Sequence, residues 1–70
     1  TFSMQISING NDKNFDVETM SISTLIEHMN LVGKRIAIER NGEIVPRSQF
    51  ASVMLQQGDK LEIVGAVGGG

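Results

Sequence analysis

The chain has 70 residues, of which 40% are hydrophobic and 20% charged, and its net charge is −2 at pH 7. A chain of this length forms one small domain with a single core and leaves no room for a deep cleft. The absence of cysteine excludes disulfides, thiolate zinc sites and a cysteine nucleophile, and a single histidine disfavours a histidine-based metal site.

Composition also argues against two classes of partner. No apolar run approaches the roughly 20 residues of a membrane span, and no basic segment followed by an apolar one heads the chain. Six Lys and Arg against eight Asp and Glu, with no Trp or Tyr, give neither the charge nor the stacking surface of a nucleic-acid binder. We therefore expect a soluble, cytoplasmic protein that binds neither membranes nor nucleic acid.

The first part of the chain predicts a β-hairpin. Apolar and polar residues alternate in TFSMQISI, residues 1–8, which is the period of a strand with one buried face. Asn9-Gly10 readily takes the positive φ angles of a tight turn. A second strand carrying Phe15 and Val17 follows.

The period then changes to that of a helix. Apolar residues recur at spacings of three and four in residues 22–29. Thr24 and Glu27 have the spacing of a capping box, so the helix is expected to begin near Ser23 or Thr24. Gly33 is the expected stop.

The second half of the chain predicts another hairpin and a final strand. Alternation returns in residues 35–45 around a turn at Asn41-Gly42, and Pro46 ends the returning strand or places it at an edge. Residues 48–55 form an irregular connection, and a turn at 56–59 leads into KLEIV, the last strand. The residues expected to face the core are Ile36, Ile38, Phe50, Val53, Leu55, Leu61 and Ile63.

This order of elements predicts the fold. One helix packed across a mixed sheet of four or five strands buries all the apolar faces, which favours an α+β roll of the ubiquitin-like, β-grasp type. We expect residues 1–64 to form that domain and residues 65–70, GAVGGG, to form a flexible C-terminal tail.

The domain itself contains no evident catalytic constellation. His28 has no nucleophile matched to it, and we expect it to be at the surface or partly packed. The remaining candidate groups are expected to be solvated or to fill gaps in the core: Asp12, Asp16, Glu18, Lys34, Arg35, Arg47 and the four methionines. A self-sufficient enzyme is therefore not expected.

The tail carries more information. Six extended residues reach roughly 20 Å from the domain, so the carboxylate of Gly70 can be delivered into another protein. Gly69 and Gly70 lack Cβ atoms and can thread a narrow channel, with Val67 as the apolar anchor before them. The alternative interpretation is an unstructured terminus or a cloning remnant.

Three segments resemble the ThiS family of thiamine-biosynthesis sulfur carriers: IAIERNGEIVPRSQF, LQQGDKLEIV and the closing AVGGG. The resemblance covers residues 4–70. The residues that carry the resemblance are IVPR at 44–47, the aromatic Phe50, Gly58-Asp59 and the terminal Gly-Gly. Each motif is short, and only their combination in this order is specific to the family. Residues 1–3 depart from the usual start of the family.

The resemblance implies that Gly70 is the only reacting residue and that the chain binds no cofactor itself. A ThiF-like adenylyltransferase would use ATP and Mg to adenylate the Gly70 carboxylate. A persulfide on a sulfur donor would displace AMP and leave a thiocarboxylate. A ThiG-like thiazole synthase would then take the sulfur into the thiazole of thiamine. Partner contacts are expected on an exposed sheet face near the last strand, through Val64, Val67, Gly68 and Gly69.

Three other functions are also compatible with these sequence features. The small subunit of molybdopterin synthase is similar in fold, tail and thiocarboxylate, although its chains tend to be longer. A ubiquitin-like protein modifier is a related variant. A plain ubiquitin-like interaction module, whose glycines have no chemical role, belongs to a different class.

Overall fold

A computed structural model describes residues 3–65 of the protein. Phe2 and the predicted tail residues Val67, Gly68, Gly69 and Gly70 lie outside this range. The elements in chain order are β1 (Met4–Ile8), β2 (Asn11–Phe15), β3 (Met20–Ser21), α1 (Ile22–His28), β4 (Ile36–Arg40), β5 (Glu43–Val45), a 3-10 turn (Arg47–Gln49), β6 (Met54–Leu55) and β7 (Lys60–Gly65).

The main sheet has five strands in the order β2-β1-β7-β4-β5. The central pair, β1 and β7, is parallel, and the other neighbours are antiparallel. The first and last strands of the chain therefore lie side by side in the middle, and α1 covers one face. This arrangement confirms the predicted α+β roll of the β-grasp type.

The core lies between α1 and that face of the sheet. Alternate residues of β1 are buried, as the two-residue period predicted. Each fully buried aliphatic side chain contributes about 1.5–3 kcal/mol to the free energy of folding. The buried hydrophobic residues are Met4, Ile6, Ile8, Met20, Ile22, Leu25, Ile26, Ile38, Phe50, Leu55 and Leu61.

Both predicted Asn-Gly turns are confirmed. Asn9 and Gly10 have φ angles of 52° and 84°, and Asn41 and Gly42 have φ angles of 52° and 88°. Paired positive φ angles match the right-handed twist of the flanking strands. The first turn sets the register that places Met4 opposite Phe15.

The helix boundaries differ from the prediction. The N-cap is Ser21, whose Oγ accepts a hydrogen bond from the backbone N–H of Thr24 at 3.1 Å. Thr24 thus lies in the first turn and is not the cap. The helix ends at His28, and Asn30, with φ of 59°, takes the left-handed conformation before Gly33 is reached.

A second, two-stranded sheet was missed. Met20–Ser21 pairs antiparallel with Met54–Leu55, and this pairing brings the buried core residues Met20 and Leu55 together. Strands of two residues are too short to show a period in the sequence. The prediction for Val17 was also wrong, because β2 ends at Phe15 and Val17 is exposed.

Candidate functional site

The face of the main sheet that points away from α1 is partly apolar. Side chains alternate along a strand, so the neighbours of the buried residues point outward. We define the outer face by its residues on β4, β5 and β7, which are Ala37, Glu39, Ile44, Lys60, Glu62 and Val64. Val64 lies opposite Ala37, and Ile44 lies opposite Glu39.

The two large aliphatic residues of the outer face are uncovered. Ile44 is 65% exposed and Val64 is 61% exposed. Val64 is one residue before the end of β7, so the exposed apolar surface lies where the chain leaves the sheet toward residues 66–70. The predicted exposed face near the last strand is thus present, with Ile44 as a member that the sequence prediction did not assign to it.

Two asparagine side chains hydrogen-bond to β7, one at its first residue and one at Ile63. Asn41 Oδ1 accepts a hydrogen bond from the backbone N–H of Lys60 at 2.9 Å. Asn9 Oδ1 accepts from the backbone N–H of Ile63 at 2.7 Å, and Asn9 Nδ2 donates to the carbonyl of Ile63 at 3.1 Å. The residues that make the tight turns therefore also fix the strand that precedes residues 66–70 in the sequence.

Asp59 is the one buried charged residue among residues 3–65. Its Oδ2 accepts hydrogen bonds from Arg40 Nε and from the backbone N–H of Gln56, both at 2.9 Å. Its Oδ1 accepts from Asn41 Nδ2 at 3.2 Å. Burial opposes ionisation, but these hydrogen bonds and the charge of Arg40 outweigh it and hold the pKa of Asp59 below its usual value.

The sequence analysis assigned Gly58-Asp59 to a turn and gave Asp59 no further role. The only local signal was an aspartate three residues after Gln56, a spacing at which its side chain bonds back to the turn. Its partners Arg40 and Asn41 are brought to it by the pairing of β4 with β7.

A small groove lies on the helix side of the sheet. It has a volume of about 240 Å³. Its lining includes the apolar residues Leu31, Ile36 and Phe50 and the cations Lys34 and Arg47. Two of the three cations that the sequence analysis expected to be solvated therefore line the same groove. The third, Arg35, borders a neighbouring hollow beside Asn9 and Gly65.

The other predicted candidates are at the surface. His28 is exposed and packs its ring edge-to-face against Phe15, with the ring centroids 6.0 Å apart. Asp12, Asp16 and Glu18 are exposed. Within residues 3–65 no three His, Asp or Glu side chains are placed to hold a metal ion. No helix in this range is long and apolar enough to cross a membrane.

Comparison with known proteins identifies relatives over nearly the whole chain. The sequence model of the ThiS family matches residues 5–70. A Bacillus subtilis protein named sulfur carrier protein ThiS is 35% identical over 65 residues, which cover 93% of this chain and 98% of that protein. A crystal structure of a thiamine biosynthesis protein (ThiS) from Geobacter metallireducens superposes with a TM-score of 0.84 at 26% identity, covering 96% of this chain and 100% of that one.

Longer proteins also match. A thiazole synthase of Paramagnetospirillum magneticum is 43% identical over 67 residues, and another of Magnetococcus marinus is 33% identical over 67 residues. In each case the match covers 96% of this chain but 20% of the thiazole synthase. The chain thus spans about a fifth of the length of these two relatives.

Proposed function

Because the chain belongs to the ThiS family, we propose that it is a sulfur carrier protein for the synthesis of the thiazole moiety of thiamine. The structural observation that carries the proposal is the position of β7. Asparagine side chains hydrogen-bond to this strand at Lys60 and at Ile63, Val64 on the same strand is exposed, and residues 66–70 follow the strand directly in the sequence. A carrier needs this combination, since its partners must recognise the body and reach the tail.

Gly70 is the residue to which we assign the chemistry. A carboxylate resists nucleophilic attack because of its charge and resonance. When a carboxylate oxygen attacks the α-phosphate of ATP, pyrophosphate leaves and an acyl-adenylate forms. The terminal sulfur of a persulfide then attacks the acyl carbon and AMP leaves. A second thiol attacks the resulting S–S bond, which forms a disulfide with the donor and releases the thiocarboxylate.

In this scheme the partners supply the catalysis and the chain supplies the carboxylate. ATP and Mg are used by a ThiF-like adenylyltransferase, and the sulfur comes from a partner's persulfide. The acceptor is a ThiG-like thiazole synthase. That assignment is supported by the two thiazole synthases in which a segment similar to this chain is part of the same polypeptide. The chain is therefore assigned a carrier role and not that of an enzyme, and a cytoplasmic location stays a prediction.

We assign partner docking to the outer face together with the start of the tail. Val64 and Ile44 offer apolar surface for a partner, and Val67 would continue that surface along the chain. Gly68 and Gly69 would pass through the narrow entrance of the partner's active site, where a Cβ would clash. A slender tail alone buries too little area to select one enzyme, so the sheet face is needed for recognition.

The experiment compares three tail variants with the parent chain ending at Gly70. Deletion of Gly69 and Gly70 shortens the tail, and Gly70→Ala adds a side chain at constant length. An alanine appended after Gly70 moves the terminal carboxylate by about 3.5 Å. A displacement of about 1 Å can already reduce a rate a hundredfold. We expect adenylation, measured as pyrophosphate release with the adenylyltransferase, ATP and Mg, to be slow or absent in all three.

Thermal melts provide the control, because all three variants retain residues 3–65 and should unfold at the parent's temperature. Activation of the deletion variant at the parent's rate would show that the tail is not the reacting element. Intact-mass analysis of the protein from thiamine-starved cells provides the second test. A species heavier by one sulfur-for-oxygen exchange supports a carrier, whereas its absence in every condition favours a plain interaction module.

A further inference from the structure

Two carboxylates lie in the middle of the outer face. Glu39 of β4 is directly opposite Glu62 of β7, and Ile44 of β5 is opposite Glu39 on its other side. Residues directly opposite each other on one face have Cβ atoms about 4.5–5.5 Å apart, and like charges in this position destabilise the pair. Glu39 and Glu62 therefore repel each other in the isolated domain.

The domain does not neutralise this pair. In the stretch from residue 3 to residue 65 the only ion pair joins Arg40 to Asp59. Lys60 lies two residues before Glu62 on the same face of β7, yet it forms no ion pair with either glutamate in this part of the chain. Both carboxylates are consequently open to a positive charge from outside.

A partner that covers the apolar residues must also cover this pair. Ile44 and Val64 lie on the strands at either side of β4. Glu39 lies on β4 between those strands, and Glu62 lies next to Val64 on the same face of β7. Burial of two aliphatic side chains stabilises the complex. Burial of two carboxylates without a positive partner costs more than that gain. An entirely apolar partner surface would therefore bind poorly here.

We infer that the protein that docks on the outer face presents an arginine side chain to Glu39 and Glu62, framed by apolar groups that cover Ile44 and Val64. The planar guanidinium carries five N–H donors and stays charged when water is excluded, so it can donate to both carboxylates at once. Lysine offers only a compact point charge. Arginine is also among the residues that dominate the binding energy of protein interfaces.

This inference rests on the proposed function, because the partner used to test it is the ThiF-like adenylyltransferase. The full chain and its variants Glu39→Gln and Glu62→Gln are titrated calorimetrically with that enzyme. Removing one partner of a desolvated charge pair should raise the dissociation constant by about thirtyfold or more. Glu18→Gln, at an exposed position outside the strands, makes the same change away from the outer face and should leave it unchanged.

A second measurement separates docking from folding. Because Glu62→Gln removes the like-charge repulsion, the variant should melt at or above the temperature of the parent while it binds more weakly. Higher salt should weaken binding of the parent more than binding of a variant that carries both Glu39→Gln and Glu62→Gln. Equal dissociation constants for the parent and both variants overturn this inference alone, provided the parent is adenylated. A parent that is not adenylated at all overturns the proposed function and the inference with it.

Discussion

Arg40 and Asp59 form an ion pair that joins the end of β4 to the turn before β7, with Arg40 Nε 2.9 Å from Asp59 Oδ2. Asp59 is 7% exposed and also accepts hydrogen bonds from Gln56 and Asn41. Two segments of the chain, residues 40–41 and residues 56–59, thus meet at one carboxylate. The ion pair therefore fixes the start of β7, the strand that precedes residues 66–70 in the sequence.

We expect Asp59→Asn to destabilise the domain by about 2 kcal/mol, since hydrogen bonds to charged groups contribute about 1.5–3 kcal/mol each and some survive with the amide. Urea unfolding at neutral pH measures the change. Asp12→Asn, at an exposed position, is the control and should alter stability by less than about 0.5 kcal/mol. Equal stability of the parent and Asp59→Asn would contradict the structural role of this carboxylate.

The same residue predicts a pH dependence. The pKa of Asp59 is lowered in the folded state, so its charged form stabilises the fold fully at pH values above its ordinary pKa of about 3.9. That contribution is lost as the pH falls through the lower folded-state pKa. Unfolding curves from neutral to acidic pH should therefore converge for the parent and Asp59→Asn. If the difference in the free energy of unfolding between the parent and Asp59→Asn stayed constant down to the lowest pH, this assignment would be contradicted.

Asn9→Gly tests the hydrogen bonds that hold the end of β7. Glycine keeps the positive φ of this position but removes the two side-chain bonds to Ile63. We expect a loss of about 1–2 kcal/mol in stability and, by hydrogen exchange, a less protected amide at Ile63. The amide of Ile38 is the internal control, because β4 is unchanged in this variant and its exchange rate should stay the same. Unchanged exchange at Ile63 would show that the turn alone holds the strand.

Ser21→Ala tests the corrected start of the helix. Because Ser21 Oγ accepts from the N–H of Thr24, its loss should destabilise the domain by about 1 kcal/mol. Ser23→Ala, inside the helix, is the matched control and should have a smaller effect. If Ser23→Ala were the more damaging substitution, the N-cap would lie where the sequence analysis first put it.

Val64→Asp tests the outer face. Val64 and Val32 are 61% and 66% exposed, so an aspartate at either position should leave the fold intact. Val32 borders the groove on the helix side and serves as the matched control. We expect Val64→Asp to slow adenylation by at least about tenfold and Val32→Asp to have little effect. Equal rates for the two variants would show that docking does not use the outer face.

Val67→Asp extends this test to a residue outside the described range. A charge placed against an apolar groove of the partner should weaken activation by a similar factor without changing the melting temperature. Kinetics like those of the parent would remove Val67 from the docking surface and leave the sheet residues as its members.

The order of the elements and the fold class could be predicted from local patterns in the sequence. Alternation in β1 and β4 and the Asn-Gly pairs at residues 9–10 and 41–42 are local patterns, and local patterns depend only on near neighbours along the chain. The motifs around residues 44–47 and 58–59, with the glycine-rich end, also sufficed to suggest the family. These features were readable because each lies within a few consecutive residues.

The contacts between residues far apart in the chain could be found only in the folded structure. Asn9 and Ile63 are 54 positions apart, and Arg40 and Asp59 are 19 apart. Neither pair therefore falls within a few consecutive residues, where a local sequence pattern could show it. The two-residue strands β3 and β6 form because each supplies the partner that the other lacks. Likewise, the exposure of Ile44 and the pairing of Glu39 with Glu62 follow from strand register, which long-range packing fixes.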